Sequence, residues 1–202
     1  EAYMNLQYGL TLLELMITLS ILSITFVFVG PRANDLYQNS LIIAELNHTS
    51  SVIQFARHHA INTKNTTKIC STADFIHCGT NWNNHKMVFV DDNVNNILDG
   101  DEVILTTLTQ TDNVQMNGPA TPVQFNFNGA SASPATIKIC GHNNQDTSAR
   151  GIFISLQGRT TVSKDSNNDG IHETNAGKPM DACDVTSKSW GFKKNGCGST
   201  VS

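Results

Sequence analysis

Leu-Thr-Leu-Leu-Glu-Leu-Met-Ile-Thr-Leu-Ser-Ile-Leu-Ser-Ile-Thr-Phe-Val-Phe-Val-Gly, from Leu10 to Gly30, decides how the rest of the chain is read. At about 1.5 Å per helical residue it covers about 30 Å, the thickness of a bilayer's hydrocarbon core. Its one charge is Glu14, and Pro31 follows it. A carboxylate near the middle of a membrane costs about 2.5–3.5 kcal/mol, so an acid kept there marks a function. No small-x-small cleavage site follows the run, which argues against a removed export signal and for a segment kept as a helix.

Beyond Pro31 the apolar residues Leu36, Ile42, Leu46, Ile53, Ala56 and Ala60 fall mostly at three- and four-residue steps, with Asn39, Glu45, Asn47, Gln54 and Arg57 on the other faces. That is the spacing of an amphipathic helix with one stripe to bury. Leu10 to about Asn62 is therefore expected as one helix of roughly 80 Å, whose first half must be covered from outside. After residue 62 the period drops to two. Strands are expected at Thr67–Cys70, Lys86–Val90, Glu102–Leu108, Val114–Met116, Val123–Phe127, Thr136–Cys140, Gly151–Leu156 and Arg159–Ser163, separated by Asn-, Asp-, Gly- and Pro-rich turns. Many short strands with such turns predict a sandwich or two stacked sheets.

The composition narrows the function. A net charge of -4 argues against a nonspecific nucleic-acid coat, because such binding depends on Lys and Arg neutralising phosphates, and leaves room for local basic patches. All five cysteines lie beyond the apolar run, with no C-x-x-C pair and no zinc-finger spacing, so they read as disulfides in an oxidising compartment and no metal centre is expected from them. Cys70–Cys78 and Cys140–Cys183 are the favoured pairs, the second pinning the C-terminal stretch to a core strand; Cys183–Cys197 is the competing choice. The seven histidines form no constellation, and H-E-x-x-H, G-x-S-x-G, Walker and G-x-G-x-x-G motifs are all missing, so no enzyme is expected.

Two loops carry calcium-like spacing. Asp91, Asn93, Asn95, Asp99 and Glu102 stand at positions 1, 3, 5, 9 and 12 of an EF-hand-like count, but Asn96 replaces the turn glycine. Asp165, Asn167 and Asp169, followed by Gly170, make a better half-loop with no acid at its twelfth place. The competing reading for both is a turn in which Asn and Asp side chains bond their own backbone. Calcium is the one cofactor the sequence suggests.

Gly9-Leu10-Thr11-Leu12-Leu13-Glu14-Leu15 resembles the prepilin signature. Met87–Leu105, Ile137–Cys140, Arg150–Ser155, Gly158-Arg159 and Asp165–Glu173 extend the likeness to the minor-pilin and pseudopilin family of FimT, FimU and GspH type, over about residues 9–183. The resemblance implies an α+β, pilin-like fold, with a long N-terminal helix, transmembrane in its first half, packed on two antiparallel sheets. It divides the chain into a leader at 1–9, an assembly helix at 10–30, its amphipathic continuation at 31–62, a β-rich head at 63–183 and a C-terminal extension at 184–202. It further implies cleavage by prepilin peptidase between Gly9 and Leu10 and methylation of the new Leu10 amine. Glu14 would pair with the N-terminal amine of a neighbouring subunit, the cation that a carboxylate in lipid needs. The expected location is the inner membrane as a single pass with a periplasmic head, then the tip of a pilus or a type II secretion pseudopilus beside other major and minor subunits. Two features depart from the pattern: Leu10 stands where Phe is usual, and the leader holds no Lys or Arg.

Some members of this family bind DNA through Gly-Arg-x-Arg. Here Gly158-Arg159-Thr160-Thr161 keeps the first arginine only. Lys164, with Lys188, Lys193 and Lys194 around Trp190 and Phe192, adds phosphate contacts and stacking surfaces to that expectation.

Overall fold

The computed structural model describes residues 11–109, 114–141, 148–181 and 183. Helix α1 runs Leu12–Thr63, against the expected Leu10–Asn62. Thr11 caps it, its hydroxyl accepting the Glu14 N–H at 3.2 Å. Thr11-x-x-Glu14 has capping-box spacing, a start signal that the sequence reading passed over. Lys64, in the left-handed region at φ 62, ends the helix. Leu12–Phe28 and Ala33–Thr63 meet at 46°, so the one expected helix is bent. The sequence places Pro31 between the two arms, and proline lacks the N–H and the ring clearance that an unbroken helix needs. No single straight helix among the described residues is long and apolar enough to cross a membrane; the bent pair together meets length and composition.

Eight strands follow: β1 (Thr67–Thr72), β2 (His85–Val90), β3 (Ile104–Leu108), β4 (Val114–Asn117), β5 (Val123–Phe125), β6 (Ala135–Gly141), β7 (Arg150–Ile154) and β8 (Thr160–Val162). They form two antiparallel sheets ordered β3-β2-β1-β5 and β4-β6-β7-β8. The predicted strands all exist, with edges displaced by a few residues where turn chemistry wins. β5 stops at Phe125 because Asn126 opens a turn, its N–H bonding Ala130 O, and Phe127 is left exposed. β7 stops at Ile154 because Ser155 begins the turn into β8.

The second arm of α1 packs on both sheets. Ile42, Leu46, Ile53, Ala56 and Ala60 are buried against Ile69, Val88 and Phe125 of one sheet and Ile137, Ile139, Ile152 and Ile154 of the other. Two predictions along this arm are corrected. Leu36 is exposed, lying before the first buried turn at Ile42. Glu45, placed by the sequence on a polar face, is buried, where it receives the Thr49 hydroxyl at 3.4 Å and attracts Lys86 of β2. Burial pushes the Lys86 amine below its ordinary pKa, and Glu45 partly offsets that.

Each sheet also has a covered outer face. Cys70, Met87 and Phe89 sit under Phe75, Cys78 and Leu98, fastened by the Cys70–Cys78 disulfide. Cys140, Ala149 and Phe153 sit under Met180 and Cys183, fastened by Cys140–Cys183. Cys197 lies outside the described residues.

Candidate assembly helix and anion cavity

Among the described residues the first arm of α1 has no partner in its own chain. Leu12, Leu13, Met16, Ile17, Leu19, Ile21, Leu22, Ile24, Phe26, Val27 and Phe28 are all exposed, Leu12 at 73% and Phe26 at 74%. Its polar side chains do not break the apolar surface. The hydroxyls of Thr18, Ser20, Ser23 and Thr25 turn back to the carbonyls of Leu15, Met16, Leu19 and Leu22 at 2.7–2.9 Å. Glu14, in the first turn, is the only charged residue between Leu12 and Phe28, and the helix dipole favours an acid at that end. Gly9 and Leu10 lie outside the described residues.

A second feature forms where α1 meets two turns of the head. Gly129 closes the turn after β5 and Gly158 the turn between β7 and β8, at φ 78 and 74. The two turns touch so closely that a Cβ on Gly158 would lie 1.9 Å from Gly129 O. Arg57 pins them together, donating from Nε to Gly129 O at 2.9 Å and from Nη2 to Gln157 O at 3.2 Å. Beside this junction is a hollow of about 180 Å³ lined by Gln54, Arg57, His58, Gly158, Arg159 and Thr160. No acidic residue lines it, and the Thr160 hydroxyl oxygen is buried without a partner. Two guanidiniums, an imidazole and an amide, with no carboxylate among them, line a hollow suited to an oxyanion.

The sequence had found Arg159 but missed Arg57 and His58, which lie about a hundred residues earlier on α1. Lys164 faces elsewhere, lining a separate hollow of about 370 Å³ with Phe153 and Glu173. Lys188, Lys193 and Lys194 lie outside the described residues.

The calcium candidates divide. Asp165 and Asp169 do converge, and Glu173 joins them, with ligand oxygens within 4.8 Å of one another. Glu173 stands ninth in that loop rather than twelfth. These carboxylates already accept loop amides: Gly170 N–H at Asp165 Oδ2, Ile171 N–H at Asp169 Oδ1 and Ser166 N–H at Glu173 Oε2. Asn167 gives its amide to Asp169 as well. The Asp91 loop is closed around a cation of the protein's own: Lys68 Nζ lies 2.6 Å from Asp91 Oδ2. Asn93 and Asn95 turn their amides to Asp99, and Glu102 receives the Asp92 N–H.

Comparison with known proteins settles the class. The family model for type II transport protein GspH matches residues 45–158, and the prokaryotic N-terminal methylation motif matches residues 4–30. The chain belongs to the GspH family of minor pilins and pseudopilins. Members of this family are structural subunits rather than enzymes, and the methylation motif marks a membrane-anchored subunit of a pilus or pseudopilus. Among solved structures the chain is similar to the type IV minor pilin FimU of Pseudomonas aeruginosa, at 16% identity and a TM-score of 0.51 over 62% of this chain and 90% of that one. This likeness is one of fold: an N-terminal helix packed on two antiparallel sheets. The minor pseudopilin EpsH from the type 2 secretion system of Vibrio cholerae is also similar, at 10% identity and a TM-score of 0.46 over 60% of this chain and 94% of that one. No curated protein matched the sequence.

Proposed function

We propose that this GspH-family chain is a minor pilin that helps to initiate or cap a type IV pilus. The observation that carries the reading is the uncovered first arm of α1, an apolar surface holding one carboxylate, on a chain whose head buries its own core without it. Before assembly the arm is solvated by the inner membrane, with the head in the periplasm. After peptidase cleavage between Gly9 and Leu10 and methylation of Leu10, it is solvated by the same arms of neighbouring subunits. Glu14 then takes the Leu10 amine of a neighbour as its counter-charge.

The test is Glu14→Ala in the native host. Head folding, read by the two disulfides in non-reducing peptide maps, is expected to be unchanged while the subunit disappears from sheared filaments. Normal incorporation overturns the reading. The same fractionation separates a pilus from a secretion pseudopilus, since only the former yields surface filaments that contain the subunit.

A second reading, DNA capture, is favoured by the cavity between Arg57 and Arg159. Arg159→Ala and Arg57→Ala are each expected to weaken duplex binding, and wild-type affinity to fall with rising salt. Binding that ignores both salt and the two substitutions rejects it.

A further inference from the structure

Lys68 occupies an unusual place for a lysine. Ile69, its neighbour on β1, joins the core beneath α1, and Cys70 joins the outer cluster with Met87 and Phe89. Strand alternation therefore sets Lys68 on the outer face, beside that cluster. Its side chain is 2% exposed and that of Asp91 0%. Nζ lies 2.6 Å from Asp91 Oδ2 and 2.6 Å from Asn96 Oδ1. The acceptors are held in place: Asp91 receives Asn95 N–H at Oδ1 and Asn96 N–H at Oδ2, and Asn96 O receives Cys78 N–H. Asn96 is kept at φ 66, which aims its side chain back at β1. With a C=O length of about 1.2 Å, Nζ is within about 4 Å of the Asn96 carboxamide carbon.

We propose that Lys68 and Asn96 join in an intramolecular amide bond, with Asp91 carrying the protons. Nζ passes a proton to Asp91 Oδ2, which removes both charges from two buried side chains, where the desolvation of an ion pair is costly. The freed lone pair attacks Asn96 Cγ, forming the new C–N bond. The original C–N bond of the carboxamide then breaks. Its nitrogen collects the proton held by Asp91 and a second from Nζ through the same carboxylate, and departs as ammonium. Asp91 ends ionised, as it began. One C–N bond forms, one breaks, and no oxidant or cofactor enters. Fixed neighbours replace a bimolecular encounter, which lowers such a barrier. Asn96 and the residues before it in the loop are exposed, which gives the ammonium a way out.

The product ties β1 covalently to the β2–β3 connection, in a layer also held by the Cys78 N–H to Asn96 O and Leu98 N–H to Ile76 O bonds and by the Cys70–Cys78 disulfide.

The test is intact mass measurement on the full chain after disulfide reduction, wild type against Asn96→Gly. Glycine keeps the left-handed turn and removes the carboxamide, and N-terminal processing cancels in the comparison. The wild type is expected to be one ammonia lighter than the substitution accounts for, and its tryptic digest to contain a branched peptide joining Lys68 to Asn96, with no cleavage after Lys68. Asp91→Asn, if folded, is expected to recover the missing mass. A wild-type mass that differs from Asn96→Gly by the substitution alone, or linear peptides ending at Lys68 in full yield, overturns the proposal.

Discussion

Gly158→Ala tests the junction that holds the cavity together. Two costs add at this position. An L-residue at φ 74 loses about 1–2 kcal/mol relative to glycine. The new Cβ would also fall 1.9 Å from Gly129 O, well inside the 3.0 Å that real Cβ atoms keep. The Gly129 turn must therefore retreat by more than an ångström, which breaks its bond from Arg57 Nε, a charge-assisted contact of about 1.5–3 kcal/mol. The expected total is about 3–5 kcal/mol. Gly177→Ala is the control: its φ is 71 but nothing lies within 4 Å of its Cβ, so only the first cost of about 1–2 kcal/mol applies. Equilibrium urea unfolding of the full chain in mild detergent, followed by the fluorescence of buried Trp82, reads both. If the two variants agree within about 0.5 kcal/mol, the close approach at Gly158 is not what the geometry says it is.

Three further outcomes follow from the same coordinates. Lys86→Met removes the charge that attracts buried Glu45 and should destabilise the chain in the same unfolding assay, whereas Lys86→Met with Glu45→Leu should recover part of that, because an apolar pair escapes the desolvation of both charges. Loss of the Cys140–Cys183 bridge, with a sequence separation of 43, should lower stability by about 4 kcal/mol, and loss of Cys70–Cys78, with a separation of 8, by about 2.5 kcal/mol, on the loop-entropy relation; the reverse order would count against that relation here. The Asp74 carboxyl is held below its usual pKa by the His77 N–H first, then the His77 ring and the Ile76 N–H. A depressed carboxyl stabilises fully above its unfolded pKa of about 4 and progressively less as pH falls below it. Asp74→Asn should accordingly flatten the acid limb of a stability profile below about pH 4; an unchanged limb refutes the assignment.

What could be read from the residues follows the range of the interaction concerned. Strands such as Thr136–Cys140 were legible because alternation is a local signal, and their edges slipped where Asn126 or Ser155 opened a turn. Ile42, Leu46, Ile53, Ala56 and Ala60 were legible as core by helical spacing alone. Glu45 was placed on the wrong side because its compensating charge, Lys86, lies in a different element. The Asp91 loop looked like a metal site for a similar reason: the cation that fills it arrives from β1. Arg159 was found through a motif, but its companion Arg57 is joined to it only by folding. Thr11 was within reach, since Thr-x-x-Glu before an apolar run is a capping signature.

The back-bonded hydroxyls of Thr18, Ser20, Ser23 and Thr25 have a mechanical consequence. A hydroxyl that reached outward would bond a particular atom on an adjacent helix and would have to release it before either could slide. Here every hydroxyl is satisfied within its own turn, so the surface is greasy and featureless in hydrogen-bonding terms. Such a rod can rotate and shift axially past its surroundings with low friction. Its final register is left to side-chain shape and, on the proposed pairing, to Glu14.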